Sequence, residues 1–252
     1  MDEQVHIWWA NLRDFDPHVP ELQSVLSVLE HARAGRFQFL RDRNNYIICH
    51  GLLRMLLGSY AGKSPFSLCF RAGTYGKPEL QDVIEERRIH FNLSHSEDVA
   101  LYGITRGCPI GVDVEYVRTF PDYERLAQEF FSRAECKSLK ATREEVRAKR
   151  FFELWTRKEA LLKGTGQGLG DGLAGRVDSL LEPDVSGCTD LPQTFGMPGD
   201  WQIRSFSPVE GYIAAVASAK ANVNFICRGV PVFFSEGMCR SGCYVPQSQD
   251  GI

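Results

Sequence analysis

Two acidic residues stand two positions apart in the segment Ile110–Tyr116, whose sequence is Ile-Gly-Val-Asp-Val-Glu-Tyr. Its apolar residues alternate as in a strand, so Asp113 and Glu115 are predicted to share the face opposite the valines. Neighbouring carboxylates repel each other, and a hard divalent cation, which prefers oxygen ligands, would remove that repulsion. The pattern indicates either a divalent-metal site or the solvated outer face of a strand.

A third acidic residue, Glu159, falls at helical spacing in line with the bulky apolar residues Phe151, Trp155 and Leu162. A carboxylate on such a stripe needs a partner, because burying an unpaired charge is costly. Lys163 lies four residues further on and could form an ion pair with it. A metal ion shared with the two acidic residues of the predicted strand is the alternative.

The segment Phe91–Ser96 reads Phe-Asn-Leu-Ser-His-Ser and is predicted to be a strand with a polar end. Ser94 and His95 could offer a hydroxyl, an imidazole and backbone N–H groups to an anion. The alternative is a polar turn that carries a histidine with a structural role.

Several basic residues are candidates for phosphate contact, although most such charges lie on solvated surfaces. They are Lys77, Arg33, Arg36, Arg41 and Arg43.

The elements that must position these residues follow from hydrophobic spacing and turn residues. The predicted strands are Val5–Ala10, Phe91–Ser96, Val99–Ile104, Ile110–Tyr116, Trp201–Phe206 and Tyr212–Ala217. Glu21–Leu57 is rich in helix formers, with apolar residues at helical spacing in its second half. No structure is predicted after Ala219.

Two capping boxes, Ser132-x-x-Glu135 and Thr142-x-x-Glu145, predict helix starts. The second is predicted to open a long helix that ends near Lys163, with Gly164 as its C-terminal cap. The order of strands and helices favours an α+β fold over a doubly wound sheet.

Composition restricts the class of protein. The 252 residues carry a net charge of −3, which gives no reason to expect nucleic acid or an anionic membrane as a partner. The sequence has no apolar run of membrane-spanning length and no secretory signal at its start. Its eight cysteines lack framework spacing and are predicted to be reduced thiols, so a cytoplasmic location is expected.

Five segments occur in an order and spacing that resembles the Sfp-type 4′-phosphopantetheinyl transferases. They are YGKP (75–78), FNLSHS (91–96), GVDVE (111–115), FFSRAE (130–135) and WTRKEALLKGTGQGL (155–169). The resemblance covers about Arg33 to Leu169. It implies two similar, pseudo-symmetric α+β lobes, each a small antiparallel sheet packed on helices, with the active site in the cleft between them. The lobes would span 1–109 and 110–220, followed by a tail of unknown structure at 221–252.

The resemblance also implies roles for matching residues. Asp113, Glu115 and Glu159 would hold Mg²⁺. The catalytic residues would be Glu159, also a candidate base, with Lys163 and His95, which add positive charge or hydrogen bonds around the phosphates. Residues implied to contact coenzyme A, several of them through its phosphates, are Lys77, Ser94, His95, Asp113 and Lys163. Relatives often carry a basic residue in the helix before the run Leu52-Leu53-Arg54, and this chain has none at that position. Arg33 and Arg36 are therefore the substitute candidates for contacting the adenine and the 3′-phosphate.

The implied activity is transfer of the phosphopantetheine arm of coenzyme A to a serine of an apo-acyl or apo-peptidyl carrier protein, with release of 3′,5′-ADP. A monomer is expected, because the cleft would form within one chain. A module of the same fold that binds carrier proteins or coenzyme A without catalysis is the alternative.

Two further motifs point to other functions, but each departs from the pattern that its function requires. Gly58 to Ser64 approaches a P-loop, but it is one residue too short and follows a predicted helix rather than a strand. Cys227, Cys239 and Cys243 could suggest zinc, but they lack C-x-x-C spacing and a visible fourth ligand.

Overall fold

A computed structural model describes residues 4–73, 76–81, 88–119, 122–166, 178–182, 184–188 and 201–232. The chain forms two compact units, Met1–Trp9 with Arg71–Gly229 and Ala10–Phe70 with Val230–Ile252. The lobe boundaries implied by the family resemblance stay a prediction. The α+β class is confirmed, because small sheets pack against helices.

The described residues of the first unit form two four-stranded sheets and a short strand pair. The strands of the first sheet are, in spatial order, β10 (Asn224–Gly229), β1 (Gln4–Asn11), β5 (Val99–Arg106) and β4 (Ile89–Ser96). Those of the second sheet are β6 (Ile110–Tyr116), β9 (Tyr212–Ser218), β8 (Trp201–Phe206) and β7 (Asp184–Cys188). The short pair is β2 (Phe70–Ala72) and β3 (Pro78–Leu80). The predicted hairpin of β8 and β9 is antiparallel, as are β4 and β5.

The C-terminal strand β10 was not predicted. It pairs in parallel with β1, with Val5 opposite Phe225 and Trp9 opposite Gly229. Its residues are exposed or half-buried, as on a sheet edge, so the strand lacks a clear apolar alternation. Only the pairing with a strand from the other end of the sequence identifies it.

Three helices follow β6 in the first unit. They are α4 (Tyr123–Phe130), α5 (Arg133–Ala141) and α6 (Glu144–Thr165). The predicted capping box at Ser132 is confirmed, since its hydroxyl accepts from the Glu135 N–H and the Glu135 carboxylate accepts from the Ser132 N–H.

Two predicted helix ends were wrong. Thr142 does not cap α6; its hydroxyl donates to the Ser138 carbonyl, so it closes α5, and Arg143 stands at the start of α6. Gly164 does not end α6. The helix continues to Thr165, and Gly166, at φ 81°, ends it with its N–H on the Leu162 carbonyl.

The second sheet is buried on both faces. One face packs on the first sheet through residues such as Val112, Val216 and Leu101. The other face packs on α6, where Leu161 meets Ala215 and other small or apolar side chains. Gly111, Asp113 and Glu115 lie on this second face by strand alternation, so α6 covers them. Burial of a leucine such as Leu161 stabilises the fold by about 2 kcal/mol.

The described residues of the second unit form three α-helices within and around the stretch that is rich in helix formers. They are α1 (Val19–Ser24), α2 (Val28–Ala34) and α3 (Leu40–Ala61). A new helix begins at α2 because Ser27 and Glu30 form a reciprocal capping box at its start.

Arg54 holds the second unit together from within α3. It is 1% exposed and donates to the Glu30 carboxylate at 2.7 Å and to the Pro65 carbonyl at 2.9 Å. The P-loop alternative is not supported, because Gly62 ends α3 at φ 64° and the Lys63 N–H donates to the Gly58 carbonyl. The segment is thus a helix C-terminus that does not follow a strand.

No helix in the described ranges combines the length and apolarity that a membrane span requires. Cys49, Cys69, Cys108, Cys136 and Cys227 form no disulfide among the described residues, in line with the predicted reduced thiols. The predicted zinc alternative depends on Cys239 and Cys243, which lie outside the described residues.

Candidate active site

Asp113 lies at the centre of a buried polar cluster. It is 3% exposed, so the interpretation of its strand face as a solvated outer surface was wrong for this residue. Its Oδ1 accepts a hydrogen bond from the Ser94 hydroxyl at 2.9 Å and one from Lys163 Nζ at 2.6 Å. Lys163 also donates to Ser94 Oγ at 3.0 Å. Three predicted site residues from β4, β6 and α6 therefore converge.

A second contact between β4 and β6 involves Glu115. The Ser96 hydroxyl donates to Glu115 Oε2 at 2.8 Å and accepts from the Tyr116 N–H at 3.2 Å. Asn92, two residues before Ser94, accepts from the Val112 N–H at 2.8 Å. The roles of Asn92 and Ser96 were not predicted, although their alternation with Ser94 places all three on one strand face.

Glu159 reaches the same region from α6, and of the two alternatives for this residue the ion pair with Lys163 is not formed within the described residues. The lysine ammonium instead pairs with Asp113. Within the described part of the chain, Glu159 Oε1 and Asp113 Oδ2 are buried without a hydrogen-bond partner. Unsatisfied buried carboxylate oxygens are costly, which indicates that these two atoms serve a ligand.

Electrostatics link the three carboxyl groups. Burial and the charge of Asp113 raise the pKa of Glu159, Lys163 partly opposes them, and the resulting pKa is about 7. Burial raises the pKa of Asp113 against the effect of Lys163. Burial also raises the pKa of Glu115, against its hydrogen bond from Ser96. At each carboxyl group the effect of burial therefore outweighs the nearby positive charge of Lys163.

The charged residues before Glu159 on α6 point elsewhere and anchor the helix. Arg157 donates to Ser205 Oγ at 2.6 Å. The ammonium of Lys158 lies 2.9 Å from Glu135 Oε2, as a buried ion pair rather than a well-directed hydrogen bond. These side chains fix the rotation of α6 about its axis, which directs Glu159 toward β6. This anchoring role was not predicted.

Two other predicted site residues of the first unit are not part of the cluster. His95 is exposed and, by strand alternation, projects from the face of β4 opposite Ser94. Lys77 donates to the Ile110 carbonyl at 2.7 Å and to the Lys163 carbonyl at 2.6 Å. Both remain predicted contacts of coenzyme A.

The predicted substitutes Arg33 and Arg36 belong to the second unit. They line an open groove together with Leu29 and Phe37. The guanidinium of Arg33 lies 5.6 Å from the ring centre of Tyr46, on α3.

In the described ranges, no three His, Cys, Asp or Glu side chains are arranged to hold a metal ion as they stand. The predicted ligands nevertheless include the two unsatisfied oxygens of Asp113 and Glu159. Oxygen donors of this kind suit a hard divalent cation.

Comparison with protein families assigns both parts of the chain. Residues 109–217 match the 4′-phosphopantetheinyl transferase superfamily, and residues 13–104 match the N-terminal region of 4′-phosphopantetheinyl transferases. The two matches together include the described site residues on β4, β6 and α6.

Individual relatives agree with this assignment. The 4′-phosphopantetheinyl transferase HetI of Nostoc sp. is 35% identical over 219 residues, which is 87% of this chain and 89% of HetI. The transferase psf-1 of Bacillus pumilus is 31% identical, over 65% of this chain and 68% of that protein. Sfp of Bacillus subtilis is 27% identical, over 78% and 83%. The chain therefore belongs to the 4′-phosphopantetheinyl transferase superfamily, among the Sfp-type enzymes.

Proposed function

We propose that the protein transfers the 4′-phosphopantetheine arm of coenzyme A to a serine hydroxyl of an apo-acyl or apo-peptidyl carrier protein. The observation that carries this proposal is the buried cluster in which Asp113, Ser94 and Lys163 meet, with Glu159 coupled to it electrostatically. A diphosphate needs cations and hydrogen-bond donors, and the cluster combines a lysine with carboxylates suited to a metal ion.

The cluster fits Mg²⁺ because buried carboxylate oxygens of Asp113 and Glu159 lack partners within the described chain. Asp113, Glu115 and Glu159 would hold the ion. When bound, Mg²⁺ would neutralise charge on the diphosphate and on the leaving group. The raised pKa of each of these carboxyl groups supports the assignment, since a nearby cation favours their ionised form.

Lys163 is placed to bind a phosphate oxygen. Its ammonium has three N–H groups, of which two donate to Asp113 and Ser94. The side chain is 31% exposed, so the third N–H can reach a bound ligand. Lys163 would thus orient the diphosphate beside Asp113, and Ser94 would fix the ammonium.

The proposed reaction is an in-line displacement at phosphorus. The carrier serine oxygen forms a bond to the β-phosphorus of coenzyme A, and the bond from that phosphorus to the bridging oxygen breaks. The leaving group is 3′,5′-ADP. Glu159 is the proposed acceptor of the serine proton, since burial raises the pKa of its carboxyl group in the metal-free protein and so makes it a stronger base than an exposed glutamate.

Other contacts with coenzyme A are proposed from the family resemblance. They are His95, Arg33 and Arg36. The proposal also includes a monomeric, cytoplasmic protein with no nucleic-acid partner. The acceptor could belong to fatty-acid, polyketide or peptide synthesis.

The test is mass spectrometry of purified apo-carrier domains of these three types, each incubated with the protein, coenzyme A and Mg²⁺. A mass gain of one phosphopantetheine is expected, with stoichiometric 3′,5′-ADP. Glu159→Gln and Asp113→Asn should lower the rate on the order of 100-fold or more, because each removes a charge at the reacting diphosphate. Glu145→Gln, at an exposed position of α6, is the matched control and should retain the wild-type rate.

Two outcomes would count against the proposal. Normal activity in both site variants would remove the metal assignment. Binding of coenzyme A or a carrier without mass gain, across all carriers, would favour the non-catalytic binding module.

A further inference from the structure

The ammonium of Lys77 is surrounded by backbone carbonyl groups. It donates to the carbonyls of Ile110 at 2.7 Å, Lys163 at 2.6 Å and Gly164 at 3.3 Å. Ile110 is the first residue of β6, whereas the other two carbonyls belong to the last turn of α6. The contact therefore joins the beginning of one site element to the end of another.

These contacts use the full hydrogen-bonding capacity of the side chain. A lysine ammonium has three donors and no acceptor, and all three donors of Lys77 are directed at carbonyl oxygens. Burial lowers its pKa to about 8, partly opposed by the charge of Glu79. A group so enclosed and saturated has no N–H left for a phosphate oxygen.

The position is also favourable for a structural cation. The last carbonyls of a helix lack partners within it and carry the negative end of the helix dipole. Lys77 supplies a positive charge and hydrogen bonds at the end of α6, immediately beside Lys163. The Lys163 backbone contacts Lys77 while its side chain contacts Asp113, so Lys77 acts on the residue that binds the acidic centre.

We infer that Lys77 is a positioning residue, which fastens the last turn of α6 to the start of β6 and thereby sets the distance between Lys163 and Asp113. The inference deepens the proposed function, on which its kinetic part rests, and replaces a phosphate contact by Lys77 with a role inside the protein. Loss of the side chain should loosen the end of α6 whether or not coenzyme A is present.

The experiment compares Lys77→Met, which keeps the length of the side chain but removes its donors, with Lys149→Met. Lys149 is exposed on the same helix, so the control repeats the chemical change away from the cluster. Amide hydrogen exchange by mass spectrometry and thermal unfolding are measured without coenzyme A or metal. The kinetic constants kcat and KM for coenzyme A are then measured with an apo-carrier protein.

Lys77→Met is expected to speed exchange at residues 161–166 and to lower Tm by roughly 5 °C, since hydrogen bonds from a charged group are lost. Its kcat should fall on the order of 10- to 100-fold through misplacement of Lys163, with a smaller change in KM. The control should match the wild type in every measurement. If Lys77→Met does not fold, Lys77→Arg is measured in the same way and should show smaller changes in the same direction.

A phosphate contact would give a different result. In that case KM for coenzyme A would rise while exchange at 161–166 and Tm stayed at wild-type values, which would overturn the inference. Wild-type behaviour in all measurements would overturn it too. If the wild-type protein transferred nothing, the proposed function would fail, but exchange and Tm would still decide the role of Lys77.

Discussion

Gly111 of β6 and Gly164 of α6 face each other at the closest approach between this helix and the sheet. A Cβ on Gly111 would overlap the Ala160 carbonyl oxygen and the Gly164 backbone, and a Cβ on Gly164 would lie 2.7 Å from the Trp201 ring. Each of the two positions therefore has room for the hydrogen atom of glycine but not for a methyl group. Asp113 lies two residues after Gly111, and Lys163 directly precedes Gly164. The close approach of the two glycines therefore also sets how deeply the cluster of Asp113 and Lys163 lies between α6 and β6.

Gly111→Ala should therefore destabilise the protein by about 3 kcal/mol, since the methyl group forces α6 away from β6. We expect Tm to fall by roughly 8 °C in differential scanning calorimetry. Gly35→Ala is the control, because its Cβ would have no neighbour nearer than 3.6 Å and its φ of −67° suits alanine. It should leave Tm unchanged or slightly raised. Equal effects of the two substitutions would contradict the close-approach argument.

Glu159 should make the metal-free protein less stable as pH rises. Its folded pKa is raised from 4.5 to about 7, so its stabilising effect is complete below pH 4.5 and is lost as pH rises through 7. With EDTA present, Glu159→Gln should match the wild type near pH 5 and exceed it by about 2 kcal/mol at pH 8.

Urea unfolding at both pH values provides the measurement. Glu145→Gln should show no pH-dependent difference from the wild type. Added Mg²⁺ should stabilise the wild type at pH 8 more than it stabilises Glu159→Gln. A constant difference between wild type and Glu159→Gln across the pH range would show that the carboxyl group is not perturbed.

Glu30 should have the opposite pH dependence in the second unit. Burial would raise its pKa, but hydrogen bonds from His50 and Ser27, together with the charge of Arg54, lower the pKa to about 2. Its stabilising effect is therefore present above pH 4.5 and is lost as pH falls through 2. Glu30→Gln should cost about 3 kcal/mol at pH 7, and the cost should shrink with acidification.

Unfolding measured by circular dichroism between pH 7 and 2.5 tests this expectation. Glu21→Gln, at an exposed position in the same unit, is the control and should follow the wild type at every pH. A cost of Glu30→Gln that stays constant with pH would point to packing rather than to the ionised carboxylate.

Ser96 should affect metal binding through Glu115. Removal of its hydroxyl in Ser96→Ala leaves Glu115 Oε2 without the 2.8 Å hydrogen bond that orients it. We expect Mg²⁺ affinity in calorimetric titration to fall on the order of 10-fold, as for other groups that orient metal ligands. Ser96→Thr keeps a hydroxyl and should restore most of the affinity. Unchanged Mg²⁺ affinity in Ser96→Ala would remove Glu115 from the proposed metal site.

The site strands were predictable because their signals are local. The alternation of apolar residues predicted the first and last residues of β6 correctly and placed Asp113 and Glu115 on one face of the strand. The helical stripe of Phe151 and Trp155 likewise identified α6 and placed Glu159 on the sheet-facing side.

The remaining features depend on contacts between distant parts of the chain. Nothing near Lys77 in sequence shows that carbonyls of residues 110 and 163 will surround its ammonium. An ion pair of Lys163 with Glu159 on its own helix was one of two alternatives, but Asp113 on another element binds the lysine. The sequence at Thr142 matches a capping box, yet Thr142 ends the preceding helix. A threonine hydroxyl can accept from the N–H of a later residue or, as here, donate to an earlier carbonyl.

The parallel pairing of β10 with β1 protects one side of a long strand near the beginning of the sequence. A shortened chain that stopped before Asn224 would keep every proposed ligand and base but would expose the N–H and C=O groups along β1. Unpaired sheet edges recruit other strands, so such a chain should self-associate and precipitate during purification. Shortened versions of this protein should therefore retain the residues up to Gly229.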